Sequence, residues 1–247
     1  WTITKEWEGY TIEADIASLS TFAPDANVDE PARTEDDCQV LFFTSGSTGQ
    51  SKGVMLSHRT NFLRSFQGMF IDEPLRKVCM FPLFHVGSFL LALIAWQTAG
   101  EVTFVRSPTA KALLDAVAAR RANHLYCIPA VWGRILAENL AGWDLSSLRF
   151  IDTGTSATPP ALIDMLKTRF PGALVRVFYG STEAGMVSGL WDREVQAKPG
   201  SVGRPAAGVE LRLGPGEEIQ VRSHMLADGY FRNPAATGAA FSEAAAP

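Results

Sequence analysis

The chain has 247 residues, 47% of them hydrophobic, and a formal net charge of −4 from 22 Lys and Arg against 26 Asp and Glu. That size and apolar content support a substantial core, either one large α/β domain or a domain with part of another. Scattered cations in an acidic balance give no basic field for nucleic acid. The longest apolar stretch, Ser88 to Trp96, is far too short for a membrane span.

Trp1 to Tyr10 mixes charge with aromatic residues and lacks the apolar segment of a secretory signal. Three widely spaced cysteines, Cys38, Cys79 and Cys127, each lie in or beside apolar runs, which predicts buried thiols in a reducing, cytoplasmic setting. The first forty residues show the least regularity, and Phe22 to Asp37 reads as a loop leading into a strand at Val40 to Phe43.

Leu41 to His58, LFFTSGSTGQSKGVMLSH, then opens an apolar strand into a loop of Gly, Ser and Thr with one lysine and returns to apolar residues. Glycines 46, 49 and 53 let the backbone approach a ligand. Thr44, Ser45, Ser47 and Thr48 bring hydroxyls and Lys52 a mobile cation, the makings of a phosphate cradle. It is not a Walker A loop, because Ser51 stands where a glycine would precede the lysine and the flanks read strand, loop, strand.

The segment TSGSTGQSKGV resembles the phosphate-loop signature of the adenylate-forming enzymes, the superfamily of acyl-CoA synthetases, luciferases and peptide-synthetase adenylation domains. The resemblance implies that Thr44, Ser45, Gly46, Ser47, Thr48, Gly49 and Lys52 contact ATP, with Lys52 also catalytic.

Downstream, Ser57 is a candidate N-cap for a helix whose Phe62, Phe66 and Phe70, at fourfold spacing, predict a core stripe. An isolated histidine in an apolar run such as FPLFHVGSF, Phe81 to Phe89, is ordinarily structural. Here the segment is similar to the superfamily's PxFHxxG stretch, which implies that His85, Val86 and Gly87 wall and orient the carboxylate of the bound acid. The apolar run that follows reads as a buried helix closed by Gly100.

From Glu101 short β runs alternate with amphipathic helices. Strands are predicted at Val102 to Val105, Leu125 to Ile128, Arg149 to Asp152 and Leu174 to Phe178, and helices at Pro108 to Arg121, Ala130 to Leu140 and Pro159 to Phe170. Ser107 and Thr158, each before a proline, are candidate N-caps. The predicted class is α/β, a layered, mostly parallel sheet flanked by helices, with ligands bound beyond the carboxyl ends of its strands.

VFYGSTEAG, Val177 to Gly185, looks like the superfamily's YGxTE signature. It implies that Tyr179 packs on adenine beside Gly180, Thr182 contacts phosphate and the carboxylate of Glu183 helps hold magnesium (Mg2+). Thr153-Gly154-Thr155-Ser156 occupies the place of the loop that joins the nucleotide and acyl pockets in relatives. Thr153 departs from the glycine common there, so Thr153, Gly154 and Thr155 are candidate pocket residues.

From Pro199 the helices stop. Val209 to Leu213 and Glu218 to Arg222 predict a hairpin through Gly214-Pro215-Gly216, part of a β-rich, partial-barrel portion. Gly200 to Pro205 and Asp228 to Phe231 resemble two further superfamily segments, read as structural, and the alanine-rich tail from Ala235 shows no closing element. The organisation implied is a lead-in at 1–37, an α/β nucleotide and acyl core at 38–195 and a β-rich portion at 196–247, truncated before the hinge.

The reaction implied is activation of a carboxylic acid by ATP to an acyl-adenylate, then thioester formation with coenzyme A or a carrier-protein thiol. No aspartate lies between Phe81 and Trp96 to pair with a substrate ammonium, so the expected acid is fatty, aryl or another without an α-amino group. The chain stops before the place where relatives carry a ribose-binding TGD segment and a C-terminal domain lysine. The alternative is therefore a non-catalytic module on the same scaffold, and the isolated chain is expected to bind nucleotide weakly without completing the thioester.

Overall fold

The computed structural model describes residues 2–7, 10–15, 32–44, 51–66 and 71–241. Five of the phosphate-loop candidates, Ser45, Gly46, Ser47, Thr48 and Gly49, lie outside the described residues, as does Phe70. The chain divides into two units, 1–34 and 35–247. In the first, β1 (Thr2–Trp7) pairs antiparallel with β2 (Tyr10–Asp15), from Thr2 opposite Asp15 to Trp7 opposite Tyr10. Regular structure thus begins earlier than the irregular lead-in expected, in segments whose Thr, Ile, Trp and Tyr suit strands.

The second unit opens with β3 (Cys38–Thr44) and β4 (Lys52–Ser57), antiparallel with Thr44 opposite Lys52, and β14 (Gly229–Tyr230) adds to the other edge of β4. Ser57 caps α1 (His58–Ser65), its Oγ accepting from the Thr60 N–H at 3.2 Å.

The βα alternation then runs through β5 (Arg76–Cys79), α2 (Val86–Gln97), β6 (Glu101–Phe104), α3 (Ala110–Arg120), β7 (His124–Tyr126), α4 (Pro129–Leu136), β8 (Phe150–Gly154), α5 (Pro160–Arg169) and β9 (Leu174–Ser181). These strands form one parallel sheet in the order β6-β5-β7-β8-β9. It is extended by β10 (Gly185–Leu190), antiparallel to β9, and by β11 (Arg204–Pro205). The hairpin of β12 (Val209–Leu213) and β13 (Ile219–Ser223) forms where expected. Among the described residues no helix is long and apolar enough to cross a membrane.

Strand alternation sorts the sheet into two faces. Val78, Leu125, Ile151 and Val175 point to one face and pack with Leu113 and Val117 of α3, Trp132 and Ile135 of α4 and Leu166 of α5, all at 1% exposure or less. Lys77, His124, Asp152 and Arg176 occupy the alternate positions and belong to the opposite face.

Several local expectations shift. The phenylalanine stripe of α1 is not core: Phe62 and Phe66 are 56% and 36% exposed and meet edge to face at 5.2 Å, while Thr60, Asn61, Arg64 and Ser65 are buried. Fourfold spacing identifies a shared face but not which way it turns, and here hydrogen bonds pull the polar face inward. Asn61 donates to Gln39 Oε1 at 2.8 Å, and Ser65 Oγ accepts from Gln97 at 2.8 Å.

The N-caps of α3 and α5 fall two residues and one residue later than predicted, on Thr109 and Pro159. A residue before proline is pushed to extended backbone, so Pro160, not Pro159, opens α5, while Thr109 Oγ1 itself accepts from the Ala112 N–H at 3.2 Å. The tail does close, in α6 (Pro234–Ala240), capped by Asn233.

Cys79 and Cys127 are buried, and burial pushes both thiols up, Cys79 to about 11, so neither is a nucleophile near neutral pH. Cys38 is exposed, contrary to expectation.

Candidate functional site

Lys52 and Glu183 lie 131 positions apart in sequence, and Tyr230 joins them. The Lys52 ammonium stands 5.0 Å from the centre of the Tyr230 ring, and the Tyr230 hydroxyl donates to Glu183 Oε1 at 3.0 Å. Burial first, then the neighbouring carboxylate, push the Tyr230 phenol up to about 12, so it remains a donor. Backbone ties hold the three together. Tyr230 is fixed by β14 on β4 and by its N–H on Thr237 Oγ1 of α6 at 2.9 Å. Thr44, opposite Lys52, donates its hydroxyl to the Lys52 carbonyl at 3.5 Å.

The turn that carries Thr182 and Glu183 is held from beneath by Arg64, a residue with no sequence motif. Its guanidinium, 1% exposed, donates Nη1 to the Thr182 carbonyl at 3.0 Å, Nη2 to the Glu183 carbonyl at 2.8 Å and Nε to the Met225 carbonyl at 2.9 Å. Burial lowers its pKa to about 10, which leaves it charged at neutral pH. The Ala227 N–H adds a second bond to the Glu183 carbonyl at 2.7 Å. With its backbone fixed, Glu183 keeps one carboxylate oxygen on Tyr230 and the other without a hydrogen bond among the described residues.

His85 is the N-cap of α2. Its Nδ1 accepts from the Gly87 N–H at 2.9 Å, and its ring stacks on Phe81 at 4.7 Å and 11°. Burial lowers its pKa. An accepting Nδ1 in a neutral ring puts the proton on Nε2, so His85 presents a fixed N–H donor.

His85, Val86 and Gly87 line a cavity of about 1070 Å³, and Tyr126, Thr155, Tyr179, Gly180 and Thr182 line it too. That volume accommodates a substantial small molecule. Lys52, Thr44 and Glu183 lie outside this lining, although Glu183 follows Thr182 directly. Thr153 shares the helix-covered face with Ile151. It is fully buried, and among the described residues its hydroxyl has no partner.

Gly154 ends β8 at φ +152°, where an added Cβ would sit 2.1 Å from the Phe178 carbonyl and 2.7 Å from the Tyr126 hydroxyl. Thr155 follows at φ +67°, its hydroxyl 3.4 Å from that of Tyr126. Gly154→Ala is expected to destabilise the protein by about 1 to 3 kcal/mol. An unchanged urea midpoint would show that this strand end accepts a side chain.

Asp152 and Arg176 line the same cavity and, with His124, form a charged group that the sequence reading missed. Asp152 accepts from Arg176 Nε at 2.7 Å and Nη2 at 2.8 Å, and from His124 Nε2 at 2.6 Å. Arg176 is further surrounded by the rings of Phe150, Phe178 and Trp191 at 4.7, 5.4 and 5.7 Å. Burial alone would raise the Asp152 pKa, but Arg176 and His124 outweigh it and hold the carboxylate well below its usual range. Burial, aided by the charge of Lys77, lowers His124 to about 4, so the ring is neutral. The available signal was an ionisable residue on the same face of each of β5, β7, β8 and β9, Lys77, His124, Asp152 and Arg176.

A family model described as AMP-binding enzyme matches residues 4–231. The chain is 32% identical over 234 residues to 4-coumarate–CoA ligase 3 of Arabidopsis thaliana, covering 84% of this chain and 41% of that protein. It superposes on the amide bond synthetase McbA of Marinactinospora thermotolerans with a TM-score of 0.74 at 28% identity, over 85% of this chain and 46% of the other. On the N-terminal domain of FACL13 from Mycobacterium tuberculosis the TM-score is 0.78 at 24% identity, over 92% and 60%, a likeness of fold. The chain spans less than half the length of the sequence relatives it matches.

Proposed function

Since the chain belongs to the AMP-binding enzyme family, we propose that it carries the nucleotide- and acid-binding core of an ATP-dependent acid–thiol ligase. The observation that carries this reading is the Lys52–Tyr230–Glu183 chain, a cation and a carboxylate held on one side chain, beside a cavity with the His85 N–H in its wall. Within it, 38–195 forms the α/β core and 196–247 the β-rich portion that brings Tyr230.

The acid needs no activated protein nucleophile, because a carboxylate with a pKa of about 4 to 5 is ionised at neutral pH. It attacks the α-phosphorus of ATP and pyrophosphate leaves. A thiol, that of coenzyme A or a carrier protein, then takes the acyl group and AMP leaves. His85 Nε2–H donates to the acid and fixes its orientation. Lys52 and the loop of Thr44 to Gly49 offset phosphate charge, Tyr179 and Gly180 flank the base, and Thr182 donates to phosphate.

Among the described residues no group of three or more His, Cys, Asp or Glu could hold a metal alone. A single carboxylate with a spare oxygen nevertheless fits magnesium, which takes one or two carboxylates together with substrate phosphates. Glu183 is that carboxylate, and bound magnesium would neutralise phosphate charge. With no acidic residue between Phe81 and Trp96, the acid is one without an α-amino group. The likeness to 4-coumarate–CoA ligase 3 supports coenzyme A as the acceptor, and the setting proposed is cytoplasmic.

Titration with a non-hydrolysable acyl-adenylate analogue tests the site directly. Binding is expected, weakened by Lys52→Ala. Absence of heat with both the analogue and Mg-ATP would sink the reading.

A further inference from the structure

We infer that the end of the cavity away from Gly154 is a second polar subsite, built around Lys77, and that the acid bound there carries an oxygen acceptor, best a second carboxylate, remote from the carboxyl that is activated. This deepens the proposed function and rests on it.

Lys77 lies in β5 opposite His124, which in turn lies opposite Phe150. It is 3% exposed and lines the cavity, yet among the described residues it makes no hydrogen bond or ion pair. Its nearest anion cannot serve it fully, because Asp152 already accepts three hydrogen bonds from Arg176 and His124. With His124 neutral, Lys77 and Arg176 face one carboxylate, so a protonated Lys77 leaves one positive charge in excess. A buried cation without a partner is strongly unfavourable, and an incoming anion would relieve it. Burial lowers Lys77 to about 7.

The cavity itself says how the acceptor arrives. His85 lines it as well, and Leu91 and Ile94 of α2 form apolar wall. Gly154 lies four residues along β8 from the level of Lys77, about 13 Å. Polar donors near both ends of an apolar slot match an acid with an apolar middle and a polar group at each end. Two other charged lining groups are already engaged. Arg64 is taken up by three carbonyls, and Asp192 by Lys167 and the Val175 N–H.

The test uses non-hydrolysable acyl-adenylate analogues in matched pairs of increasing acyl length, one ending in a methyl group and the other in a carboxylate, titrated calorimetrically into the chain. At the best length the carboxylate-ended analogue is expected to bind about tenfold or more tighter. Lys77→Met is expected to bring the two affinities together.

A second measurement needs no variant. At pH 8 Lys77 is largely neutral, facing Asp152, Arg176, His124 and Cys79, with Asp72 and Glu73 also in the lining. Binding of the anion should therefore draw a proton onto Lys77, seen as a buffer-dependent heat absent with the methyl-ended partner. Equal affinities at every length, or a preference that survives in Lys77→Met, would overturn the subsite and leave the adenylation reading intact. Failure of every analogue to bind would overturn both.

Discussion

Glu183→Gln is expected to lower acid-dependent pyrophosphate release by the intact protein about 10²- to 10³-fold, the scale of removing one group that stabilises charge in a transition state. The substitution keeps the size of the side chain and an oxygen for the Tyr230 hydroxyl, so the loss would report the carboxylate charge and not a collapsed turn. The turn does not depend on that charge, because Arg64 and the Ala227 N–H hold its backbone carbonyls. A spectrophotometric titration gives an independent readout. The Tyr230 phenol is pushed up to about 12 by burial and then by Glu183, so without the carboxylate its pKa should fall while burial keeps it above the ordinary value near 10. Pyrophosphate release within a few-fold of the parent would remove Glu183 from the role assigned to it.

Asp152→Asn is expected to destabilise the protein by about 3 to 5 kcal/mol, because it leaves the Arg176 guanidinium buried without its counter-charge. Replacing both partners by apolar residues of similar size, Asp152→Leu with Arg176→Met, should recover much of that loss, since the desolvation of both ions disappears together. Chemical denaturation of the two single variants and the double variant measures the coupling. Additive losses would show that the pair contributes little.

The same group sets an acid sensitivity. His124 stays neutral in the folded state down to about pH 4, whereas an ordinary imidazole takes up its proton near 6.5. Between those values the unfolded chain binds the extra proton. Stability should therefore fall as pH falls through that window, by up to about 1.4 kcal/mol per pH unit for one proton. His124→Phe should flatten this slope in urea midpoints taken from pH 7 to 4.

Much of the site was legible because its chemistry is local. The glycine-rich run between two strands, the histidine before α2 and the YGSTE run at the end of β9 are contiguous patterns whose residue types suit the tasks proposed for them. Other readings failed for physical reasons. Spacing in α1 marked Phe62 and Phe66 as one face but could not say that Arg64 on the other face would bury itself under the 182–183 turn. Asp228 to Phe231 read as structural, yet Tyr230 is the side chain that connects Lys52 to Glu183.

Local patterns along the chain suffice for the α/β alternation, the strands flanking the phosphate loop, the capping of α1 by Ser57 and the family, because periodicity, turn chemistry and short motifs depend on neighbours a few residues apart. Which charges meet is set by the fold. Arg64 reaches Thr182 across 118 positions, Tyr230 reaches Glu183 across 47, and Asp152 collects Arg176 and His124 from 24 and 28 positions away. Strand order and helix docking create those contacts, and burial gives them their strength, since a charge removed from water must find its partner wherever the fold puts one.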